Sequence, residues 1–230
     1  CIERGLHVLL EKPPTDTLSE IEDLACLAEG REATLFTTWH AQHNPAVEAA
    51  ARALAGQRIA AMDIRWHEDV RKWHPGQRWI WEPGGFGVFD PGINALSIAT
   101  RIFPDALFVK EAELSFPENR QTPIAARLSL ASPVADGPLT CTFDWRHESD
   151  EAWTIDIRTS DGMGLRLSDG GETLTIDGAA ANMSTLRAAI EGHMADLDRS
   201  IGFFWLDMPW ESTGTSTTAA MRRTCSPRRG

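Results

Sequence analysis

Lys12 follows the apolar run Leu6-His7-Val8-Leu9-Leu10 and precedes two prolines, in the order Glu11-Lys12-Pro13-Pro14. A lysine at a strand end is ordinarily a surface charge. Here the position argues for more, because open α/β sheets receive ligands at the carboxyl ends of their strands. A lysine so placed can exchange protons, and X-Pro bonds are where cis peptides occur. Asp90 and Asn94 stand four residues apart, so a helix would turn both the same way. Asp90 would lie early in that helix, where the positive end of the dipole attracts a carboxylate. The plain alternative is that Asp90 caps the helix and Asn94 faces water.

A second set combines flat aromatic rings with groups that bind hydroxyls: His40, Glu68, Trp73, His74 and Trp153. Indole faces pack against the apolar C–H side of a pyranose, while carboxylates and imidazoles bind its hydroxyls. These five read as the lining of a sugar pocket, although each alone is as readily a core tryptophan or a surface histidine. The seven histidines show no HExxH, HxxEH or paired-cysteine spacing, so no metal site is expected. Gly84-Gly85-Phe86-Gly87 could cradle a phosphate at a helix start, but without GxGxxG that signal is weak. No Ser/His/Asp nucleophile pattern stands out.

These residues need elements to hold them. Thr17-Leu18-Ser19-Glu20 is a capping-box pattern, and Leu18, Ile21, Leu24, Ala25, Leu27 and Ala28 recur at helical spacing until Gly30. A strand over 6–10, that helix, a strand over 33–38, a helix over 45–54 and a strand over 59–67 alternate as in a parallel α/β layer. Residues 68–86 are loop-like and rich in Trp, Pro and Gly, and their tryptophans argue against disorder. A helix is predicted over 86–103. From Leu107 the pattern becomes alternating segments at 107–116, 124–130, 139–146, 152–158, 163–168 and 172–177. Asp161-Gly162 and Asp169-Gly170-Gly171 separate the later ones, predicting an antiparallel meander. A further helix is predicted over 184–200, and Met221 to Gly230, with four arginines, reads as a basic tail.

Composition bounds the partners. Among 230 residues, 22 basic side chains face 33 acidic ones, for a formal charge of −11. Nucleic acid and anionic membrane surfaces would repel such a chain. A hydrophobic content of 42% with nine tryptophans belongs to a globular protein. No apolar run approaches the roughly 20 residues that span a bilayer, and no signal-peptide pattern opens the sequence. Cys1, Cys26, Cys141 and Cys225 are scattered, which fits a reducing cytoplasm better than a disulfide framework. The first residue is Cys rather than Met, from which an N-terminally incomplete chain is expected.

Gly5-Leu6-His7-Val8-Leu9-Leu10-Glu11-Lys12-Pro13 resembles the GKHVLxEKP strand and loop of the Gfo/Idh/MocA oxidoreductases, and Pro83 through Asn94 resembles that family's GGGxLxDxGxH helix. Glu68 through Gln77 and Phe89 through Ile98 are similar to its sugar 1-dehydrogenase branch. The resemblance runs from residue 1 to about 177. It implies α/β plus α+β architecture: the C-terminal part of a Rossmann domain over 1–42, then a substrate domain over 43–183 with a mostly antiparallel, open-faced sheet. Beyond about 183 the sequence departs from the family, and 184–230 reads as an atypical segment, expected to be frameshifted or disordered.

The resemblance further implies oxidation of an aldopyranose, D-galactose or L-arabinose, at C1 by NAD or NADP. Glu11, Lys12 and Pro13 would lie beside the cofactor, with Lys12, Asp90 and Asn94 at the reacting hydroxyl. His40, Glu68, Trp73, His74 and Trp153 match sugar-pocket positions. Many relatives carry His where this sequence has Asn94, and Asn cannot exchange a proton at neutral pH. Proton removal then falls to Asp90 or Lys12, singly or coupled: Lys12 polarises O1, Asp90 accepts its proton and Asn94 holds the geometry. The family's GxGxxG unit, the main anchor of a dinucleotide, is not in this sequence. The chain alone is therefore expected to bind NAD(P) poorly and to leave a sheet edge uncovered. A homodimer through the open sheet is the expected assembly. The rival readings are a non-catalytic sugar-binding module or sensor and an interaction protein using that open sheet.

Overall fold

The structure, a computed structural model, describes residues 1–181, so the helix expected over 184–200 and the rest of the C-terminal segment lie outside the described residues. Strand β1 (Val8–Glu11) pairs in parallel with β2 (Leu35–Thr38), and the helix α1 (Leu18–Gly30) connects them. A parallel pair requires such a crossover. The Thr17 side chain accepts from Glu20 N–H while the Glu20 carboxylate accepts from Thr17 N–H, closing the capping box. Of the periodic apolar positions, Ile21, Leu24, Leu27 and Ala28 are sheltered, whereas Leu18 and Ala25 are exposed.

After a 3₁₀ turn (His40–His43) come the helix α2 (Val47–Leu54), strand β3 (Ile59–His67) and the single-turn helix α3 (Val70–Trp73). The expectation of a third strand in the parallel layer is corrected here, because β3 belongs to a second sheet. The reason lies in its alternation. Met62, Ile64 and Trp66 are buried while Asp63, Arg65 and His67 turn outward. A strand inside a parallel α/β layer is covered on both faces and reads as a continuous apolar run; β3 is covered on one.

The helix α4 spans Phe89–Ile102, opening three residues later than the pattern suggested. Strands β4 (Phe108–Ser115), β5 (Ala125–Ala131), β6 (Leu139–Asp144), β7 (Ala152–Thr159), β8 (Gly164–Ser168), β9 (Thr173–Ile176) and β10 (Ala179–Ala180) complete a sheet in the order β10-β9-β8-β7-β3-β6-β5-β4. The meander is interrupted once. β3 lies between β6 and β7, parallel to the first and antiparallel to the second. The chain from β6 to β7 must therefore cross the carboxyl end of β3. The stretch 68–86 is likewise less loop-like than its composition suggested, holding α3 and a 3₁₀ turn at Trp79–Trp81. No helix among the described residues is long and apolar enough to cross a membrane.

α2 and α4 cover the inner face of this sheet. α4 buries Ala95, Ile98, Ala99 and Ile102 in the same core as Met62, Ile64 and Phe143. Gly92 in its first turns lets the helix approach closely: a Cβ there would stand 2.7 Å from the ring of Phe143, itself 1% exposed. The ring cannot retreat without disturbing β6. Gly92→Ala is expected to destabilise the fold by about 1–3 kcal/mol, the usual cost of overpacking a closed core. A lower midpoint in urea denaturation would show it, and an unchanged midpoint would mean that α4 can lift away freely.

Candidate active site

Lys12 leaves the carboxyl end of β1 and reaches the first turn of α4. Its Nζ donates to the Asp90 main-chain oxygen at 2.7 Å and approaches Asp90 Oδ1 at 3.3 Å. The two side chains are only 13% and 17% exposed. The Lys12–Pro13 peptide is cis. Val88, not Asp90, occupies the cap position of α4, and it makes no side-chain cap bond. The alternative of Asp90 as a capping residue is thus replaced by an ion pair to a distant segment. Asn94 is half-buried one turn along the same helix.

Two of the glycines before α4 are required by packing. A Cβ on Gly85 would collide with the Trp79 carbonyl oxygen, and one on Gly87 with that of Pro123.

Glu68 directly follows β3, under the β6–β7 crossing. Its N–H donates to the Asp144 carbonyl at 2.9 Å, and its carbonyl accepts from His147 N–H at 3.1 Å. The residue is 6% exposed. Trp66 and Trp153 are direct cross-strand partners, and both indoles donate to Glu68 Oε1, at 3.1 and 2.9 Å. A buried carboxylate is tolerated only with such donors. Burial nevertheless raises the Glu68 pKa above the ordinary glutamate value. The indoles of Trp153 and Trp66, the nearby His74 and the indole of Trp145 offset part of that rise. The Trp145 N–H is itself buried without a hydrogen-bond partner within bonding distance.

The aromatic wall extends from there. Trp73 meets Trp153 edge-on at 5.5 Å, and its N–H donates to Glu151 at 2.6 Å. Trp81 meets Trp145 edge-on at 5.4 Å, and the His74 ring lies 5.0 Å from Trp145 on its own side. His74 joins the two clusters, with Nε2 at 3.6 Å from Asp90 Oδ2. Lys12, Asp90, His74, Glu68, Trp73 and Trp153 are therefore brought into one connected region. His40, in the turn after β2, is exposed and makes no hydrogen bond to that group among the described residues; Glu11 is exposed and Pro13 half-buried. Two surface hollows, one of about 370 Å³ beside His67 and Arg127 and one beside Asp63 and Arg166, open on the opposite face of the sheet, away from this region. Among the described residues no group of three His, Cys, Asp or Glu side chains is clustered so as to hold a metal ion.

The geometry has relatives. The chain is 47% identical over 175 residues to galactose 1-dehydrogenase of Pseudomonas fluorescens, a match covering 76% of this chain and 55% of that protein. A crystal structure of D-galactose-1-dehydrogenase from Rhizobium etli superimposes with a TM-score of 0.74 at 47% identity, over 84% of this chain and 64% of that one. In sequence and fold the chain is thus similar to oxidoreductases of the Gfo/Idh/MocA type. An inositol dehydrogenase homolog from Azotobacter vinelandii, solved with NAD+, shares the fold at 20% identity, with a TM-score of 0.61 over 76% of this chain and 49% of that one. No protein-family model matches the chain. It spans less than two thirds of the length of these relatives.

Within the family frame, the residues that sequence reasoning missed are Trp66, Trp81 and Trp145. Trp66 carried a signal, since it falls on the buried side of the β3 alternation immediately before Glu68. Trp145 and Trp81 carried none, because their convergence depends on the crossing of β6 to β7. The raised Glu68 pKa has a checkable sign. A group whose folded pKa exceeds its unfolded value supports the fold at low pH and loses that support as pH rises through the folded value. Gln keeps an oxygen acceptor for the indoles and does not titrate. Glu68→Gln is expected to gain stability relative to the parent as pH rises from about 4 toward neutrality. Urea midpoints across that range measure it, and a constant difference would show that burial does not perturb Glu68.

Proposed function

We propose that this chain is the greater part of an NAD(P)-dependent sugar 1-dehydrogenase, acting on D-galactose or L-arabinose at C1 to give the lactone. The observation that supports this reading best is the half-buried Lys12–Asp90 pair joined through His74 to a tryptophan-enclosed carboxylate. Residues 1–42 would be the dinucleotide-binding part and 43–183 the sugar-binding part. The 47% identity to galactose 1-dehydrogenase supports the same substrate class.

Glu11, Lys12 and Pro13 lie at the carboxyl end of a parallel strand, where open α/β sheets receive ligands. They fit the nicotinamide end of NAD or NADP; no residue described here fits its pyrophosphate. When bound, the cofactor accepts hydride from C1. Lys12 donates a hydrogen bond to O1 and holds Asp90 in place through its main-chain and carboxylate oxygens. Asp90 accepts the O1 proton, and the hemiacetal hydroxyl is acidic enough for a carboxylate base. Asn94 orients the hydroxyl from the next turn of α4. Glu68 and His74 bind ring hydroxyls, while Trp73 and Trp153 cover the apolar side of the pyranose. His40 would join them from the turn after β2.

The expected assembly is a homodimer through the outer face of the second sheet, in the cytoplasm where oxidised nicotinamide is supplied. Sedimentation checks the first point. The reaction is tested by sugar-dependent NAD(P)H formation, with this chain alone and joined to the N-terminal segment of the Pseudomonas relative. Asp90→Asn is expected to lower turnover by about 10²–10⁴-fold, the range for loss of a general base. Wild-type turnover in that variant would remove Asp90 as the base, and saturable sugar binding without reduction in either form would mark a binding module instead.

A further inference from the structure

A base that takes a proton in every turnover must also lose it. Lys12 occupies one side of Asp90, bonding its main-chain oxygen and Oδ1. Oδ2 is left facing His74 Nε2 at 3.6 Å, with the imidazole 14% exposed. That is an ion-pair distance just beyond a hydrogen bond, and such contacts commonly tighten when substrate fills a site. On the far side of the ring, Nδ1 stands 3.1 Å from Oε1 of Gln77, an exposed residue. One ring nitrogen thus meets the inner carboxylate and the other meets the solvent boundary. An imidazole can hold a proton on either ring nitrogen, which suits a two-ended carrier. Asn94, one turn from Asp90, carries no exchangeable charge.

The groups around His74 can be named element by element. Asp90 faces it from α4, with Lys12 beyond. The Glu68 carboxylate acts on it from the end of β3, and the Trp145 ring packs against it from the β6–β7 crossing. Gln77 belongs to its own loop. The Trp145 ring, 5.0 Å away, backs the imidazole only as a packing contact.

We propose that His74 is the proton exit of this site, a role that rests on the sugar-oxidation reading. The C1–H bond breaks with hydride passing to oxidised nicotinamide, the O1–H proton passes to Asp90, and C1=O forms. The Oδ2–H bond then breaks as Nε2–H forms. The imidazolium returns to neutral by giving a proton to water beside Gln77. No net charge stays in the site after each turnover.

Two readouts test this on the protein. With ¹⁵N-labelled histidine, Asp90→Asn is expected to move the ring-nitrogen resonances of His74 and leave those of His67, on the opposite face of the sheet, in place. In kinetics with D-galactose, His74→Gln, which keeps a group able to bond a sugar hydroxyl, is expected to lower kcat by roughly ten- to a hundredfold, with a far smaller change in sugar KM and partial recovery on adding imidazole. Unmoved His74 resonances would overturn the proposal. So would an unchanged kcat, or a rise in KM alone, which is the mark of a residue that only binds sugar. If the unsubstituted protein oxidises neither sugar, the sugar-oxidation reading fails by itself, and the resonances alone then decide whether Asp90 and His74 are coupled.

Discussion

Because β3 lies between two strands that are consecutive in sequence, the chain has to cross the carboxyl end of β3 on its way from β6 to β7. That crossing encloses Glu68. Main-chain bonds to Asp144 and His147 clamp it, and the register that sets Trp66 opposite Trp153 brings two indole N–H groups onto one carboxylate oxygen. Each ladder hydrogen bond is worth little alone. Together they decide where a charge can be buried, and the aromatic wall of the site is built around that charge.

The second constraint is the reach of Lys12 across the molecule. It leaves a two-stranded parallel unit and bonds to the first turn of a helix that packs on the other sheet. A half-buried ammonium and carboxylate cannot be separated cheaply, because either one left alone would lack its partner. The contact proposed for proton transfer therefore also helps to join the two-stranded unit to the helix of the second sheet, alongside the bond from Gln42 to the Ser97 carbonyl. His74 extends it toward Glu68, so acid–base groups and aromatic lining form one connected set rather than two neighbouring ones.

Much of this was legible from residue order. The capping box at Thr17, the periodicity of α4 and the two-residue alternation of the later strands each report local physics, and each element formed within a few residues of expectation. The spacing of Asp90 and Asn94 put both on one helix, and the EKP motif put Lys12 at a strand end. What could not be read was pairing at long range. The assignment of β3 to the parallel layer followed from the βα alternation, while its outward Asp63 and Arg65 argued for the other sheet. Trp145, Trp81 and the His74–Asp90 contact depend on where segments far apart in sequence come to rest, and no local pattern carries that information.

The central claim is that Lys12 and Asp90 act as one unit at the reacting hydroxyl. A double-mutant cycle on sugar-dependent hydride transfer, using Lys12→Met, Asp90→Asn and the pair together, tests it most directly. Groups that act as a unit give strongly non-additive losses. The account expects the double variant to be slower than the worse single variant by no more than about threefold. Losses that multiply would contradict it, and would mean that the two residues serve the reaction independently.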